Sequence, residues 1–303
     1  MTLRAAVIGI NWGQVHIHAF NELGVEIIGL CATQPERLHE VAKQHSIPFT
    51  TTDPATLLRL PLDVISIATP ATTHSELLSL FRQIPIICEK PLVGLEGPEP
   101  IIDERRAPLW INYAFAFLDS ARQIRQLLPG LGKVHQLEMC CEYELPLNFT
   151  PAQWWLEVAS HPLSFLLHLF GEPATVSHKE GEALAVKIGN IPARLICRQA
   201  SGINGIRQHL RFHTDAGLLE LNGHFQMGSP WRYEPLILAG KPLNDGEWCS
   251  GDCWIRANVR SFEAIMAQLQ GRHSLLEGIS NGLFTAAKAW PIDRLLRQTW
   301  LQG

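Results

Sequence analysis

Residues 84–93 read IPIICEKPLV. The apolar half of this stretch, residues 84–88, is typical of a strand that is buried on both faces of a parallel sheet. Glu89 and Lys90 follow where the strand is expected to end, and open α/β sheets bind ligands at that edge. Pro91 restricts the backbone of Lys90 to an extended conformation. The stretch predicts either a proton-transfer lysine or a simple ion pair between Glu89 and Lys90 at the strand end.

Apolar runs and amphipathic segments alternate on both sides of this strand. Further strands are predicted at 3–10, 25–31, 62–68 and 109–112, and helices at 13–23, 35–44, 53–60 and 72–81. This βαβ order predicts an α/β fold with a parallel, doubly wound sheet.

The second half of the chain has a different pattern. Short segments between Gly, Asn and Asp turns predict strands at 133–143, 173–178, 183–188, 193–199, 205–213 and 217–221. One helix is predicted after the Thr150 capping box, a second after Pro162, and two more at 255–269 and 275–300. Pro291 is expected to break or kink the last helix. An antiparallel sheet with helices follows from these segments.

The composition limits the possible functions. The chain has 303 residues, of which 46% are hydrophobic and 18% charged, and this is long enough for two domains. Its formal net charge of -4 gives no basic surface for nucleic acid, and neither a signal peptide nor an apolar run of membrane length is evident. The protein is therefore expected to be cytoplasmic, with no nucleic-acid or membrane partner.

No metal site is expected from the cysteines and histidines. The seven cysteines lie mostly in apolar runs, which favours reduced core thiols. Cys249 and Cys253 in CSGDC resemble a metal pair, but a plain loop is favoured without a second pair. His16 and His18 alternate along the first helix and are expected to point apart, so they are interpreted as surface or interface histidines.

The first βα turn is a candidate dinucleotide site. Residues 9–14 read GINWGQ, whereas the dinucleotide fingerprint is G-x-G-x-x-G. The turn is one residue short and has Asn11 in place of the middle glycine, although Asn tolerates a left-handed backbone. Because the turn joins the first strand to the first helix, dinucleotide binding is favoured over a purely structural turn.

Three motifs resemble the Gfo/Idh/MocA oxidoreductase family: VIGINWGQVH at 7–16, the Thr69-Pro70 step followed by His74, and CEKPL at 88–92. Residues 113–132 are also similar to the family's interdomain segment, and 161–173 to its second catalytic stretch. The resemblance implies a dinucleotide-binding Rossmann domain over 1–115. It also implies a C-terminal α+β domain with an open, mostly antiparallel sheet over 116–303, for substrate binding and dimerisation. The outer face of that sheet is expected to form a homodimer or a dimer of dimers.

The resemblance also implies catalytic residues. Lys90 matches the family's lysine, His161 its histidine, and Glu157 lies where the family has an aspartate; Ser164 replaces another common aspartate. A lysine and a histidine can share proton transfer at a carbinol while the nicotinamide takes or gives the hydride. The family's Gly-Gly-Gly segment is absent, and Pro162 is expected to interrupt the helix between Glu157 and His161. A helix-terminal role for His161 is therefore the alternative.

The expected cofactor-binding residues are Gly9, Asn11, Trp12, Gly13, Ala32, Thr33, Arg37, Thr69, Pro70, His74, Glu89 and Lys90. Ala32 lies where an NAD-specific site places an Asp or Glu, so no carboxylate repels a 2′-phosphate. Thr33 offers a hydroxyl, and Arg37 lies on the following helix. NADP(H) is therefore expected to bind at least as well as NAD(H), with relaxed specificity as the alternative.

Together these features predict an NAD(P)-dependent oxidoreductase. Its substrate is expected to be a small molecule, with a hydroxyl or carbonyl of a sugar-like or other polar compound as the reacting group. Two alternatives are open: a catalytically silent nucleotide-binding regulatory protein of the same fold, and a reductase of a non-sugar ring or imine.

Overall fold

A computed structural model describes residues 2–99, 107–171, 173–243, 251–272 and 283–301 of this chain. By its internal contacts the chain forms two units, residues 1–113 with 258–290 and residues 114–257 with 291–303. Each unit has a sheet of its own. Cys249 of the CSGDC pair and residues 275–282 of the last predicted helix lie outside the described residues.

The first unit is built on a seven-stranded sheet. Its strands are β1 (Arg4–Ile8), β2 (Glu26–Cys31), β3 (Phe49–Thr51), β4 (Val64–Ile67), β5 (Ile86–Cys88), β6 (Leu109–Ile111) and β16 (Phe284–Thr285). Their order in the sheet is β16-β6-β5-β4-β1-β2-β3. β1 to β6 pair in parallel, and β16 joins the edge antiparallel to β6. The predicted parallel, doubly wound sheet is confirmed.

Burial explains the apolar runs of this sheet. Every residue of β4 and β5 is buried, as expected for central strands with helices on both faces. The connecting helices are α1 (Gly13–Glu22), α2 (Pro35–Gln44) and α3 (His74–Leu80). The helix predicted at 53–60 is a 3₁₀-helix over residues 54–59, with the Asp53 side chain accepting from the Ala55 N–H. β3 escaped prediction because its three half-buried residues make no apolar run.

The second unit carries the other sheet. Its strands are β7 (Val134–Tyr143), β8 (Pro173–Glu180), β9 (Ala183–Ile188), β10 (Ile191–Gln199), β11 (Gly205–Thr214), β12 (Gly217–Gln226), β13 (Arg232–Tyr233), β14 (Ile237–Leu238) and β15 (Lys241–Pro242). The order is β15-β14-β12-β11-β7-β10-β9-β8, with β13 paired to β12. β7 and β10 are parallel and the other neighbours are antiparallel. The predicted mostly antiparallel sheet is confirmed.

The two faces of this second sheet differ in burial. Along β7, Leu137, Met139 and Cys141 are buried, whereas Glu138 and Cys140 between them are half-buried. The buried face forms the core with α6 (Ser160–Phe170), whose Phe170 ring lies 6.0 Å from that of Phe212. This period of two is the pattern that predicted a sheet with one core face.

The expected interruption of the helix between Glu157 and His161 by Pro162 is wrong. The structure has one uninterrupted run of α5 (Pro151–Trp154), a π-helical turn (Trp155–Ala159) and α6. The wider π-turn precedes Pro162, where a regular α-helix would bring the ring against the carbonyl four residues earlier. The Ser160 hydroxyl donates to the Leu156 carbonyl oxygen (2.5 Å) and satisfies it.

α4 (Asp119–Leu127) precedes the second sheet. Near the end of the chain lie two longer helices, α7 (Cys253–Leu269) and α8 (Ala286–Leu301). Pro291 is expected to break or kink the last helix, but it lies inside α8 without ending it, so the expected break is wrong. Ala289, Ile292 and Leu296 on this helix are fully buried, so packing offsets the hydrogen bond that the proline removes. None of the helices in the described part of the chain is long and apolar enough to span a bilayer.

Candidate active site and dinucleotide turn

The turn between β1 and α1 begins at Gly9. This residue has a φ of +106°, and a Cβ atom there would lie 2.4 Å from the carbonyl oxygen of Ala68, so only glycine fits. The Gly9 N–H donates to the carbonyl oxygen of Cys31 (2.8 Å). The turn is therefore held closely against the ends of β2 and β4.

Asn11 and Trp12 lead directly into α1. Asn11 has a negative φ, so the left-handed conformation considered for it is not used. Its carbonyl oxygen accepts from the Gln14 N–H (3.3 Å), and that of Trp12 accepts from Val15 (2.9 Å). The shortened turn thus starts the helix early, and the Trp12 side chain is 61% exposed.

The N-terminus of α1 fits a pyrophosphate. The helix begins at Gly13, and neither a capping side chain nor an acidic residue occupies its first turn. Helix N-termini bind anions because the helix dipole is positive there and the backbone N–H groups that lead into the helix point towards the ligand. The residues of this turn therefore fit the dinucleotide that the sequence predicts.

The position that commonly decides between NAD and NADP follows β2. Ala32 is half-buried, and its N–H donates to the Thr51 carbonyl oxygen (3.3 Å). Thr33 is exposed, and so is Arg37 in the first turn of α2, where Glu36 is the neighbouring acidic residue. The end of β2 therefore presents a hydroxyl and a guanidinium, with no carboxylate at position 32.

His74 joins the Thr69-Pro70 step to the Glu-Lys-Pro segment. Its ring is fully buried, with Nε2 2.9 Å from the Thr69 carbonyl oxygen and Nδ1 3.0 Å from that of Pro91. Burial lowers the pKa of His74, although the two backbone contacts act in the opposite direction. Because His74 has no exposed surface, it can hold the backbone of Thr69 and Pro91 but does not offer a surface for contact with a cofactor. Its role among the predicted cofactor-binding residues is therefore indirect.

Glu89 is the centre of a buried polar network. Its Oε1 accepts from His16 Nε2 (2.8 Å) and from Asn112 Nδ2 (2.7 Å). Asn112 Nδ2 also donates to Asn258 Oδ1 (2.6 Å), and His16 Nδ1 lies 2.5 Å from Ser66 Oγ. All five residues are less than a tenth exposed, so the core contains a fully surrounded carboxylate.

The carboxyl group of Glu89 is held in its charged form. Burial by itself would raise its pKa. The net effect is a lowered pKa, because burial is outweighed by the hydrogen bond and charge of His16, the charge of Lys90 and the hydrogen bond from Asn112. The second oxygen, Oε2, accepts from the backbone N–H of Lys90 (3.3 Å). Half-buried Lys90 thus follows an ionised carboxylate at the carboxyl end of β5.

The interpretation of His16 as a surface or interface histidine is wrong. His16 is 1% exposed, whereas His18 is exposed as expected. The helical period contains the missing signal: Gly13, His16, Ile17 and Phe20 are buried on the face of α1 that packs in the core. Ser66, Asn112 and Asn258 have no comparable signal in the sequence.

In the second unit, Glu157 and His161 share one helical run. His161 is 8% exposed; the Phe115 ring stacks on it at 4.8 Å, and the Trp254 ring meets it edge-on at 4.8 Å. Glu157 is half-buried in the π-helical turn. The Ser164 hydroxyl donates to the His161 carbonyl oxygen (2.6 Å). Ser164 therefore bonds to the backbone of its own helix, and it brings no charge to the position where the family commonly has an aspartate.

Comparison with known sequences identifies relatives of the first unit. Residues 3–98 match the sequence model of the Gfo/Idh/MocA group, described as an oxidoreductase family with an NAD-binding Rossmann fold. D-apiose dehydrogenase of Paraburkholderia graminis is 34% identical over 93 residues. That match covers 29% of this chain and 25% of the relative, so this chain matches about a quarter of the relative's length.

Solved structures share the fold over nearly the whole chain. The WlbA dehydrogenase of Chromobacterium violaceum, in complex with NADH and UDP-GlcNAcA, has a TM-score of 0.75 at 13% identity, covering 99% of this chain and 93% of that one. A super-repressor mutant of Gal80p from Saccharomyces cerevisiae has a TM-score of 0.71 at 13% identity, with 99% and 95% covered. At such identities the likeness shows the fold alone.

The predicted family resemblance is confirmed by the sequence match, the parallel sheet and the glycine turn together. Over residues 3–98, this chain is similar to the NAD-binding Rossmann domain of the Gfo/Idh/MocA oxidoreductase family.

Proposed function

We propose that this protein is an NAD(P)-dependent dehydrogenase or reductase. It transfers a hydride between the nicotinamide and a hydroxyl or carbonyl group of a sugar-like or other polar small molecule. The observation that carries the proposal is the place of Lys90, directly after an ionised buried carboxylate and at the same sheet edge as the β1–α1 turn. The names of D-apiose dehydrogenase and of the WlbA dehydrogenase support this class of reaction.

The residues of the first unit have separate tasks in this proposal. The turn from Gly9 to Gly13 holds the pyrophosphate by its backbone N–H groups. When bound, the nicotinamide accepts or supplies the hydride. Lys90 takes or returns the proton at the carbinol oxygen.

His161 and Glu157 are the proposed substrate-side residues of the second unit. An imidazole can exchange a proton with a substrate hydroxyl, and a carboxylate one helical turn earlier can orient the imidazole or that hydroxyl. The continuous helical run supports this assignment because it places Glu157 and His161 on neighbouring turns.

We further infer that NADP(H) binds at least as well as NAD(H). Ala32 supplies no carboxylate to accept from a ribose 2′-hydroxyl, and exposed Thr33 and Arg37 can bind a 2′-phosphate.

The test is a direct assay of hydride transfer. The full-length protein is incubated with NADP⁺ or NAD⁺ and a panel of aldoses, sugar acids, cyclitols and sugar nucleotides, and the reduced nicotinamide is followed by absorbance. The proposal expects turnover with at least one member of the panel, and that turnover must be lost in Lys90→Ala. Turnover that persists in Lys90→Ala would contradict the assigned role.

A catalytically silent nucleotide-binding protein of the same fold is the second candidate. The observation that favours it is the aromatic surrounding of His161, whose ring is 8% exposed between Phe115 and Trp254. The Gal80p structure shows that a repressor can have this fold. Tight binding of NADPH without turnover across the panel would support this second candidate against the first.

A further inference from the structure

The network around Glu89 joins five elements of the first unit. His16 lies on α1, Ser66 on β4, Glu89 after β5, Asn112 after β6 and Asn258 on α7. α1 is also the helix that begins at the dinucleotide turn, one turn before His16. The same hydrogen bonds therefore connect the start of the cofactor helix with the residue that precedes Lys90.

Stability alone gives no reason for this network. β5 ahead of Glu89 is entirely apolar and buried, so apolar groups in place of Glu89 and its polar partners together would extend the same core. Buried ion pairs are commonly replaced by well-packed apolar groups with no loss of stability, because desolvation offsets their attraction. A buried hydrogen-bonded network instead fixes one arrangement of the groups it joins, here through every member's contacts except the side-chain oxygen of Asn112, which has no partner among the residues that the structure describes.

The backbone on both sides of Lys90 is fixed. Glu89 Oε2 accepts from the Lys90 N–H (3.3 Å), and the Glu89 N–H donates to the Ile67 carbonyl oxygen (2.8 Å). On the other side, His74 Nδ1 lies 3.0 Å from the Pro91 carbonyl oxygen. The peptide that carries the lysine is thereby held between two buried side chains.

We propose that His16 and Glu89 form a buried hydrogen-bonded pair that positions Lys90 relative to the dinucleotide turn. The Glu89 carboxylate accepts from the backbone N–H of Lys90 and places a negative charge next to that residue. His16 hydrogen-bonds the same carboxylate and so connects it to α1. Neither residue touches the substrate. The inference rests on the proposed function for its catalytic meaning, but the arrangement itself can be tested without any substrate.

The first test observes Lys90 directly. Reductive methylation with carbon-13 formaldehyde labels the amine of each of the seven lysines, retains its charge and gives one methyl signal per lysine in a proton–carbon NMR spectrum. The Lys90→Arg variant identifies the Lys90 signal by its absence. Glu89→Gln keeps the shape of the side chain and an oxygen acceptor for Asn112 but removes the charge.

We expect Glu89→Gln to move the Lys90 signal while the other six lysine signals stay in place. Since Glu89→Gln could fail to fold, His16→Gln is the second variant: its amide can still donate to Glu89, and we expect a smaller movement of the same signal. Glu40→Gln, an exposed glutamate on α2 that lies three residues before Lys43, is the matched control and should leave the Lys90 signal in place. A Lys90 signal that coincides with that of the wild type in both network variants would overturn the proposal.

The second test separates positioning from folding. With a substrate from the panel, we expect Glu89→Gln to lower kcat by roughly 10-fold to 10²-fold, as small misplacements of catalytic groups do, with NADPH affinity and KM within about twofold. A purely structural role would instead lower the yield of folded protein and leave kcat per folded molecule unchanged. If the wild type turns over nothing, the proposed function fails, while the NMR experiment still decides whether Glu89 positions Lys90.

Discussion

At the scale of single residues, Ala32 carries the prediction on cofactor preference. We expect the wild type to bind NADPH at least as tightly as NADH, because no carboxylate follows β2 at this position. Ala32→Asp should weaken NADPH binding by about tenfold or more, about 1.4 kcal/mol, through repulsion of the 2′-phosphate, and strengthen NADH binding. Titration followed by tryptophan fluorescence measures both affinities, and exposed Trp12 in the turn is a natural reporter.

Arg37→Ala is the matched variant for this titration, since it should weaken NADPH binding and leave NADH binding unchanged. A wild type that prefers NADH by tenfold or more would refute the preference, and equal affinities with no effect of Ala32→Asp would establish relaxed specificity instead.

Local sequence predicts some site residues and not others for a physical reason. Gly9, Glu89 and Lys90 are recognisable because the turn and the strand end are formed by consecutive residues. Asn112 escapes prediction because its partners Glu89 and Asn258 are 23 and 146 residues away along the chain. Only the assembled sheet brings such amides to a buried carboxylate.

At the scale of elements, His74 at the start of α3 makes stability depend on pH. Burial lowers its folded-state pKa below the ordinary value of 6.5, so near that pH the unfolded chain binds a proton more readily than the folded one. Its contribution to the free energy of unfolding is therefore fully present above pH 6.5 and is lost as the pH falls from 6.5 towards the lowered pKa.

Urea unfolding at about pH 7.5 and about pH 5.5 measures this loss. We expect His74→Gln to lose less stability between the two conditions than the wild type, whereas His18→Gln, on the exposed face of α1, should behave like the wild type. The carboxylate of Glu89 makes a separate contribution to the free energy of unfolding. This contribution is lost at lower pH, as the pH falls below 4.5, the ordinary pKa of a glutamate. An identical pH dependence for wild type and His74→Gln would refute the assignment.

The helix that carries His161 shows where sequence patterns for elements fail. A proline predicts an interruption because its ring collides with the preceding turn of an α-helix. The structure avoids the collision with a π-turn at Trp155–Ala159, and Trp155 is completely buried there. The packing of this tryptophan is a tertiary effect, so local propensity could not predict the uninterrupted run.

At the scale of the whole molecule, we predict a homodimer or a dimer of dimers through the outer face of the second sheet. Cys140 and Ile196 lie opposite each other on this face and are half-buried, among ion pairs such as Arg211 with Glu138 and Glu220. A stable interface should bury more than about 1,200 Å² in total.

Light scattering at micromolar concentration tests the assembly. We expect Ile196→Asp to give monomers, because it places a charge in the interface, while Leu58→Asp at an exposed apolar position of the first unit should leave the assembly unchanged. A monomeric wild type would contradict the prediction.

The most direct test of the account is the kinetic effect of Lys90→Ala. At saturating cofactor and with a substrate from the panel, we predict that turnover falls by roughly 10²-fold or more, as the loss of a proton-transfer group requires, with NADPH affinity nearly unchanged. Lys43→Ala, at an exposed position of α2, controls for the loss of a lysine and should match the wild type. A Lys90→Ala enzyme with turnover within a few-fold of the wild type would contradict the account.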